Sequence, residues 1–503
     1  MSNHPQTKRH LVIAAVMASM AMVAIEATIV STAMPQIVTQ LGGLRLYSWV
    51  FSSFLLAQTA MTVVFGKLAD LFGRKPTVLV GIAIFLIGSI GAGFAWSMPA
   101  MIVFRLIQGM GAGAIQPVTL TIVADLYPAR ERGKIQGYLA SVWAISAVIG
   151  PMAGGLLIRD LSWSWIFWIN VPIGFLAAFF FISFLHEEKR HQRPSIDIMG
   201  AVLFTIAIGA LMMALTDAGS ENNGRALFEV ALCVVVGVLF VWHERRVAEP
   251  MISFALWSQR PIAACNAATV MSGMALMGLT TFLPMYVQGV LHQSPVVAGL
   301  ALTMVMLGWP SGATFTAKSF HRLGLRRLMV AGSFFLPLGA IAFALLQPNG
   351  SPVTAGVGSL VMGLGMGIVS VSSLILIQEI VLPLQRGSAT ASNLFSRNLG
   401  STLGAAIFGA VLNFGLSHFK GMSITSDQLR SLLDATPGAA QTAQAALSAN
   451  DMVRAALHHS LHLTFLSIFV ICVGAVLSVM MVPHIKIGEQ REKTSAAAHL
   501  TEM

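Results

Sequence analysis

The sequence predicts an all-helical integral membrane protein, on the basis of its composition, the length of its apolar stretches and the placement of its charges. Of the 503 residues, 56% are hydrophobic and only 10% are charged, and the mean hydropathy is +0.77. Soluble domains carry about 25% charged residues. One water-soluble core cannot bury so large an apolar excess, so the chain is suited to lipid.

Apolar stretches long enough to cross a bilayer recur fourteen times along the chain. A hydrocarbon core of about 30 Å needs about 20 apolar residues in a helix. The first stretch is too long for a cleavable signal peptide and contains Glu26. The predicted spans are residues 11–38, 47–68, 77–96, 100–124, 136–158, 163–185, 196–216, 226–242, 261–287, 296–316, 328–346, 353–377, 391–416 and 461–482.

The basic residues are distributed unequally between the two sides of the membrane. With a cytoplasmic N-terminus, 23 of the 30 Lys and Arg residues lie on the cytoplasmic side, six lie outside and Arg105 lies within a span. Cytoplasmic loops carry such an excess of positive charge. The asymmetry predicts cytoplasmic termini and an even number of spans, and it accounts for the net charge of +10 without nucleic-acid binding.

A glycine-rich basic turn joins spans 2 and 3. It contains Gly66, Asp70, Gly73, Arg74 and Lys75. The glycines permit a tight turn and close helix approach. Asp70 can accept hydrogen bonds from a helix N-terminus or an arginine, and the two basic residues can pair with acids or anionic lipid. A degenerate copy without the aspartate occupies residues 320–327.

Three further features lie inside predicted spans. Glu26 is the one acidic residue in the interior of a span, since the others lie in loops or within about a turn of a span end. A charged arginine inside a membrane helix costs free energy, so Arg105 in span 4 is expected to pair with another polar or charged group. Span 5 contains Gly150, Pro151, Gly154 and Gly155, which weaken the helix and allow close packing.

These motifs resemble those of the major facilitator superfamily and, within it, the fourteen-span drug:proton antiporters of bacteria, which export drugs and quaternary ammonium compounds. Residues 26–35 and 163–174 extend the resemblance over the N-terminal half, with Glu26 where the family usually has Asp. The resemblance implies that the basic turn locks the cytoplasmic side, that Arg105 serves proton coupling and that the motif at 150–155 indicates export, although Ser146 replaces the usual leading glycine of that motif.

The resemblance also implies two six-helix bundles with spans 7 and 8 inserted between them. It further implies a monomer in the bacterial cytoplasmic (inner) membrane that uses the proton gradient and no cofactor. The predicted organisation is a cytoplasmic N-terminus (1–10), an N-terminal bundle (11–185), a linker with the inserted spans (186–260), a C-terminal bundle (261–482) with a partly helical periplasmic segment (417–460), and a cytoplasmic tail (483–503).

The depths of two charged residues predict that they pair. At 1.5 Å per residue, Glu26 lies roughly 22 Å from the cytoplasmic end of span 1, and Arg105 lies about 8 Å from the outer end of span 4. Both depths fall in the outer half of a core of about 30 Å. A carboxylate in a low-dielectric medium is easier to protonate, so Glu26 is expected to hold either a proton or a cationic substrate.

Alternatives to these roles are open at the level of sequence. Glu26 can be permanently protonated and hydrogen-bonded to a neighbour, and Arg105 can extend to the outer surface. The motifs do not separate an exporter of lipophilic cationic or neutral drugs from a dedicated exporter of one metabolite, lipid or siderophore. No nucleotide-binding loop, nucleophile motif or metal-ligand cluster is present, so an enzyme is not expected. Candidates for the substrate cavity are Met22, Gln58, Gln108, Gln116, Asn266 and Arg397.

Overall fold

The computed structural model describes residues 7–42, 47–187, 197–217, 223–247, 257–293, 295–418 and 444–483, and the regular secondary structure in these ranges is entirely helical. The helices in chain order are α1 Arg9–Leu41, α2 Tyr47–Phe72, α3 Arg74–Gly93, α4 Met98–Leu126, α5 Ala129–Asp160, α6 Trp165–Trp168, α7 Asn170–Phe184, α8 Ile198–Asp217, α9 Asn223–Glu244, α10 Arg260–Gly289, α11 Pro295–Leu323, α12 Leu325–Ala344, α13 Pro352–Ile380, a 3-10 turn Pro383–Gln385, α14 Arg386–His418 and α15 Gln444–Met480.

Local chemistry explains where several helices begin. The Ser97 hydroxyl accepts a hydrogen bond from the Ala100 backbone N–H at 3.3 Å and so caps α4. Only Gly73 separates α2 from α3, and only Gly324 separates α11 from α12. Their φ angles are 101° and 79° with extended ψ, a region that is essentially restricted to glycine. Glycine at these two positions therefore allows each pair of helices to be joined by a single residue.

A helix is present at each of the fourteen predicted spans, with α6 and α7 together forming the sixth. Twelve of the described helices are long and apolar enough to cross a membrane. Helices α5 and α8 are not among these twelve, and some side chains in both helices lie outside the described residues. The helices thus fit a protein that crosses the membrane many times, and the count of fourteen spans stays a prediction.

The described chain forms two compact units. Unit 1 contains the described parts of Met1–Gln259 together with Leu374–Phe395, and unit 2 contains those of Arg260–Ser373 and Ser396–His484. Unit 2 begins at residue 260, and the bounds of the predicted C-terminal bundle stay a prediction. The segment Leu374–Phe395, which the sequence assigns to that bundle, instead packs with unit 1.

Each unit has its own apolar core. In unit 1, Met22, Phe85 and Phe181 are fully buried in one cluster. In unit 2, Phe408 and Phe465 have the same role. Large apolar side chains are also exposed along the helices, for example at 58% for Phe179 on α7. Such exposure is expected when lipid replaces water as the solvent of the helix surface.

Parts of the predicted organisation lie outside the described residues. These are 1–6 of the N-terminal segment, 188–196, 218–222 and 248–256 of the region between the bundles, 419–443 of the outer segment and 484–503 of the tail. Helix α15 begins at Gln444, so the predicted span 461–482 is the second half of a longer helix.

Candidate functional site

A buried polar cluster lies inside unit 1, at the point where α1, α3, α4 and α7 meet. Its members are Glu26, Ser89, Arg105, Gln108 and Asn170, and none is more than 1% exposed. Burying polar groups is favourable only when they are hydrogen-bonded, and burying charges only when they are paired. Glu26 and Arg105, the two charged residues of the cluster, are both hydrogen-bonded and paired with each other.

Both carboxylate oxygens of Glu26 accept hydrogen bonds. Arg105 donates to Oε1 through Nη1, in a buried ion pair. Asn170 donates to Oε2 through Nδ2 at 2.7 Å. The structure therefore brings together the two charged residues whose depths in the sequence coincide, and it adds Asn170 as a third member. Asn170 belongs to the span-6 motif, but an asparagine carries no signal in the sequence that identifies its partner.

The guanidinium of Arg105 is fixed on several sides. Besides Glu26, it donates through Nη1 to Gln108 Oε1 at 2.6 Å and through Nε to the Val50 carbonyl at 3.1 Å. It also lies 4.3 Å from the centre of the Phe54 ring, within the range of a cation–π contact. The side chain thus points into the protein and does not extend to the outer surface.

Ser89 links the remaining amides. Gln108 Nε2 donates to Ser89 Oγ at 2.6 Å, and Asn170 Nδ2 lies 3.4 Å from the same oxygen. One polar atom of the cluster, Asn170 Oδ1, is buried without a hydrogen-bond partner among the described residues. A neutral glutamic acid has an O–H to donate, so the cluster contains an acceptor suited to a protonated Glu26.

The basic turn forms a second polar cluster in unit 1. Asp70 accepts hydrogen bonds at the start of α14, from the Gly387 N–H at 2.9 Å and from the N–H and hydroxyl of Ser388 at 2.7 and 2.8 Å. Its Oδ1 also lies 3.3 Å from Arg74 Nη2. Asp70 therefore meets both kinds of partner that the sequence predicts, a helix N-terminus and an arginine.

Arg74 and Asp125 extend this second cluster. Arg74 donates through Nη2 to the Pro383 carbonyl at 2.8 Å, and its Nε lies 3.0 Å from Asp125 Oδ2. Asp125 also pairs with Arg386 at 2.9 Å. Two arginines and two aspartates thus tie the turn between α2 and α3 to the chain around residues 383–388.

Gly66 and Gly73 allow this turn to pack closely, and Glu187 completes it. The backbone N–H groups of Arg74 and Lys75 each donate to a Glu187 carboxylate oxygen at 2.9 Å, which satisfies the first turn of α3. The Lys75 ammonium donates to the Ile182 carbonyl at 2.8 Å. No pattern in the sequence indicates Glu187 as a partner, because it lies more than 100 residues away.

Another pair nearby was not predicted. Arg132 Nη1 lies 2.8 Å from Glu379 Oε1, and both side chains are buried. Arg132 also donates to the backbone carbonyls of Ala124 and Tyr127, at 2.7 and 2.9 Å. Burial lowers the pKa of Arg132 to about 10. The residue therefore remains charged at neutral pH.

The glycine–proline motif of α5 packs against α1. A Cβ at Gly150 would collide with the Thr28 hydroxyl, so glycine is needed for this close approach. That hydroxyl lies 3.3 Å from the Ser146 carbonyl, one turn earlier on α5. Gly154 is buried, whereas the side-chain surroundings of Pro151 and Gly155 are outside the described set.

The six substrate-cavity candidates have different surroundings. Met22 is in the apolar core, Gln108 is in the buried polar cluster, and Gln58 donates to Gln116 at 3.1 Å between α2 and α4. Asn266 is buried on α10. Arg397 lines a cavity in unit 2.

Comparisons with known proteins agree with this architecture. The family model of the Major Facilitator Superfamily matches residues 16–405. The chain is 34% identical over 431 residues to Multidrug resistance protein 3 of Bacillus subtilis (strain 168), covering 83% of each chain. It is 29% identical to the Multidrug transporter protein MdtP of the same organism, covering 98% of this chain and 97% of that one.

A solved structure shares the fold. The crystal structure of the human organic anion transporter MFSD10 (TETRAN) aligns with a TM-score of 0.64, covering 95% of this chain and 100% of that chain at 15% identity. The match over most of the chain, the identity to the multidrug relatives and the apolar helices lead to one conclusion. The chain belongs to the major facilitator superfamily and is a multi-pass membrane protein, a secondary transporter and not an enzyme.

Proposed function

We propose that the chain is a proton-coupled antiporter that exports lipophilic cationic or neutral drugs by alternating access. It acts as a monomer with fourteen spans in the bacterial inner membrane, has both termini in the cytoplasm and is driven by the proton gradient without a cofactor. The observation that carries the proposal is the fully buried ion pair between Glu26 and Arg105. The similarity to Bacillus multidrug transporters supports the class of substrate.

The buried polar cluster is suited to carrying one proton in two states. When Glu26 is ionised, Arg105 neutralises it and Asn170 donates to it. When Glu26 is protonated, its attraction to Arg105 weakens, and rotation of the Asn170 amide presents Oδ1 to the new O–H. Protonation thus frees the Arg105 guanidinium, and this is the event that we propose is coupled to transport.

Substrate and proton are expected to compete through this pair. Glu26 has no exposed surface, and both of its oxygens are occupied. A cationic substrate reaches Glu26 only after the Arg105 guanidinium moves away from the carboxylate. We expect the transport of neutral drugs to require the same movement of Arg105. Glu26 is therefore the shared carboxylate, and Arg105 controls access to it.

The second polar cluster supports a role of the basic turn in gating. Asp70, Arg74 and Asp125 bind the chain around residues 383–388 through charge-assisted hydrogen bonds, which are stronger than neutral ones. A cytoplasmic opening that separates these elements has to break several such bonds. The closed arrangement is thereby stabilised until substrate or proton binding offsets the loss.

Ethidium transport into inverted vesicles tests the proposal. An imposed proton gradient should drive ethidium uptake by the wild type, and an uncoupler should stop it. Glu26→Gln should lose gradient-driven uptake, whereas Glu131→Gln, an exposed acid at the start of α5, is the matched control and should retain it. Uptake by Glu26→Gln against a gradient would contradict the assignment of Glu26, and a wild type that moves no ethidium would contradict the drug-export proposal.

A further inference from the structure

A cavity in unit 2 has no assigned role. It lies between α10, α11, α13 and α14, and the space within it that a water-sized sphere can occupy is about 10 Å³. This is about the room that one water molecule needs, so a larger ligand has to displace part of the lining. Its walls combine polar and apolar groups, among them Ser272, Leu276, Trp309, Met366, Ser370 and Arg397.

Arg397 lies in a part of the chain that is poor in acids. Between residues 260 and 373, and between 396 and 426, the sequence contains no Asp or Glu. Among the described residues, no carboxylate pairs with Arg397, and its buried Nε has no hydrogen-bond partner. A charge inside a membrane helix normally has a counter-charge. An acidic ligand is therefore able to supply the counter-charge that the described residues do not provide.

The surroundings of Arg397 indicate the chemistry of that partner. The Ser272 hydroxyl is also buried without a hydrogen-bond partner among the described residues. The Trp309 ring centre lies 5.9 Å from the guanidinium carbon of Arg397. Arg397 can form two parallel hydrogen bonds with a carboxylate, and the hydroxyl can supply a third. Trp309, Leu276 and Met366 provide an apolar surface beside this polar end.

We infer that the unit 2 cavity binds the acidic group of amphipathic substrates, with Arg397 and Ser272 on the carboxylate and Trp309 beside the attached apolar or aromatic body. The inference deepens the proposed function and rests on it, because it extends the exported compounds to lipophilic monocarboxylates and zwitterions. The two residues then bind different groups: Glu26 in unit 1 binds the proton, and Arg397 in unit 2 binds the anionic group of the substrate.

A matched pair of fluorescent probes tests the inference with purified protein in detergent. 1-Pyrenebutyrate and 1-pyrenebutanol share an apolar body and differ in the carboxylate, and energy transfer from tryptophan to pyrene reports their binding. The wild type should bind the carboxylate at least about tenfold more tightly than the alcohol, as expected for hydrogen bonds to a charged group. Arg397→Gln should bind the two probes equally, and Arg397→Lys should retain part of the preference.

Controls separate this test from the test of the proposed function. Arg327→Gln removes an exposed positive charge from the same unit and should keep the wild-type preference. Size-exclusion profiles show whether each variant is folded. Equal binding of both probes by the wild type, or a preference that persists in Arg397→Gln, would overturn the inference. Failure of the wild type to move ethidium would instead defeat the drug-export proposal, and it is measured independently.

Discussion

The two units resemble each other in backbone and differ in charge. Each contains an arginine well inside a long helix, Arg105 on α4 and Arg397 on α14, and each contains a one-residue turn at a glycine with positive φ. In unit 1, Arg105 is paired with Glu26, and Asp70 binds the start of α14. In unit 2, Arg397 has no acidic partner among the described residues, and the turn at 320–327 has no aspartate.

The comparison indicates that two units with similar helices and turns can have different functions. Transporters of this kind are built from internal repeats, which preserve the helices and turns. In this chain, an acid that pairs with the arginine (Glu26) and an acid in the turn (Asp70) are described in unit 1 only. We therefore expect protonation and gating to depend on unit 1, while the unmatched arginine of unit 2 is available to a ligand. Four experiments test this division, in order of decreasing expected effect.

The largest effect is expected from Arg105→Gln. Removing one member of a buried ion pair leaves the other uncompensated and lowers the free energy of unfolding by about 3–5 kcal/mol. The melting temperature in detergent should fall sharply, and ethidium transport should be lost. The double variant Glu26→Gln/Arg105→Gln should recover much of the stability but not the transport. If the double variant is no more stable than Arg105→Gln, the two residues are not coupled as described.

Asp70→Asn should have the next largest effect. The amide carries no charge for Arg74 and accepts fewer of the hydrogen bonds that Gly387 and Ser388 donate, so a loss of about 1.5–3 kcal/mol is expected. Thermal unfolding measures the loss, and ethidium uptake measures the effect on transport. Arg327→Gln, in the corresponding turn of unit 2, should change the stability by no more than about 0.5 kcal/mol. Equal effects of the two substitutions would remove the contrast between the turns.

Gly73→Ala and Gly324→Ala form a matched pair. Both residues have backbone angles that alanine rarely adopts, so each substitution should lower the stability by about 1–3 kcal/mol. A Cβ at Gly73 would also lie 2.8 Å from Glu187 Oε2 and would disturb the cap of α3, whereas a Cβ at Gly324 has open space around it. Thermal unfolding should therefore show a larger loss for Gly73→Ala, and a larger loss for Gly324→Ala would contradict this account.

The smallest change in stability is expected from Arg397→Gln. No acid is left unpaired by the substitution, and a charge is removed from an apolar setting, so the stability should change by about 0.5 kcal/mol or less. The comparison with Arg105→Gln under identical conditions is the direct measurement of the difference between the two arginines. A fall as large as that of Arg105→Gln would show that Arg397 has a structural partner.

The sequence predicts the helices and the principal contacts of unit 1 for clear physical reasons. Apolar length identifies the helices, and a constant rise per residue places Glu26 and Arg105 at one depth, where the structure joins them. The sequence predicts that the Asp70 carboxylate accepts hydrogen bonds from a helix N-terminus or an arginine. In the structure it contacts both, at the start of α14 and at Arg74. The count of fourteen spans stays a prediction, since twelve helices among the described residues are long and apolar enough to cross a membrane.

The remaining contacts depend on tertiary proximity that no local pattern encodes. Ser89 and Asn170 are ordinary residues of apolar helices, and only folding places them beside Glu26 and Gln108. Glu379 lies far along the chain from its partner Arg132. The unmatched state of Arg397 is visible only when the cavity and its lining are known.

Proton release by the purified protein tests the central claim most directly. In weakly buffered detergent solution, a pH-sensitive dye reports protons released when ethidium is added. If Glu26 carries the proton that substrate displaces, the wild type should release protons, Glu131→Gln should match it, and Glu26→Gln should release none. Undiminished proton release by Glu26→Gln would show that another group carries the proton.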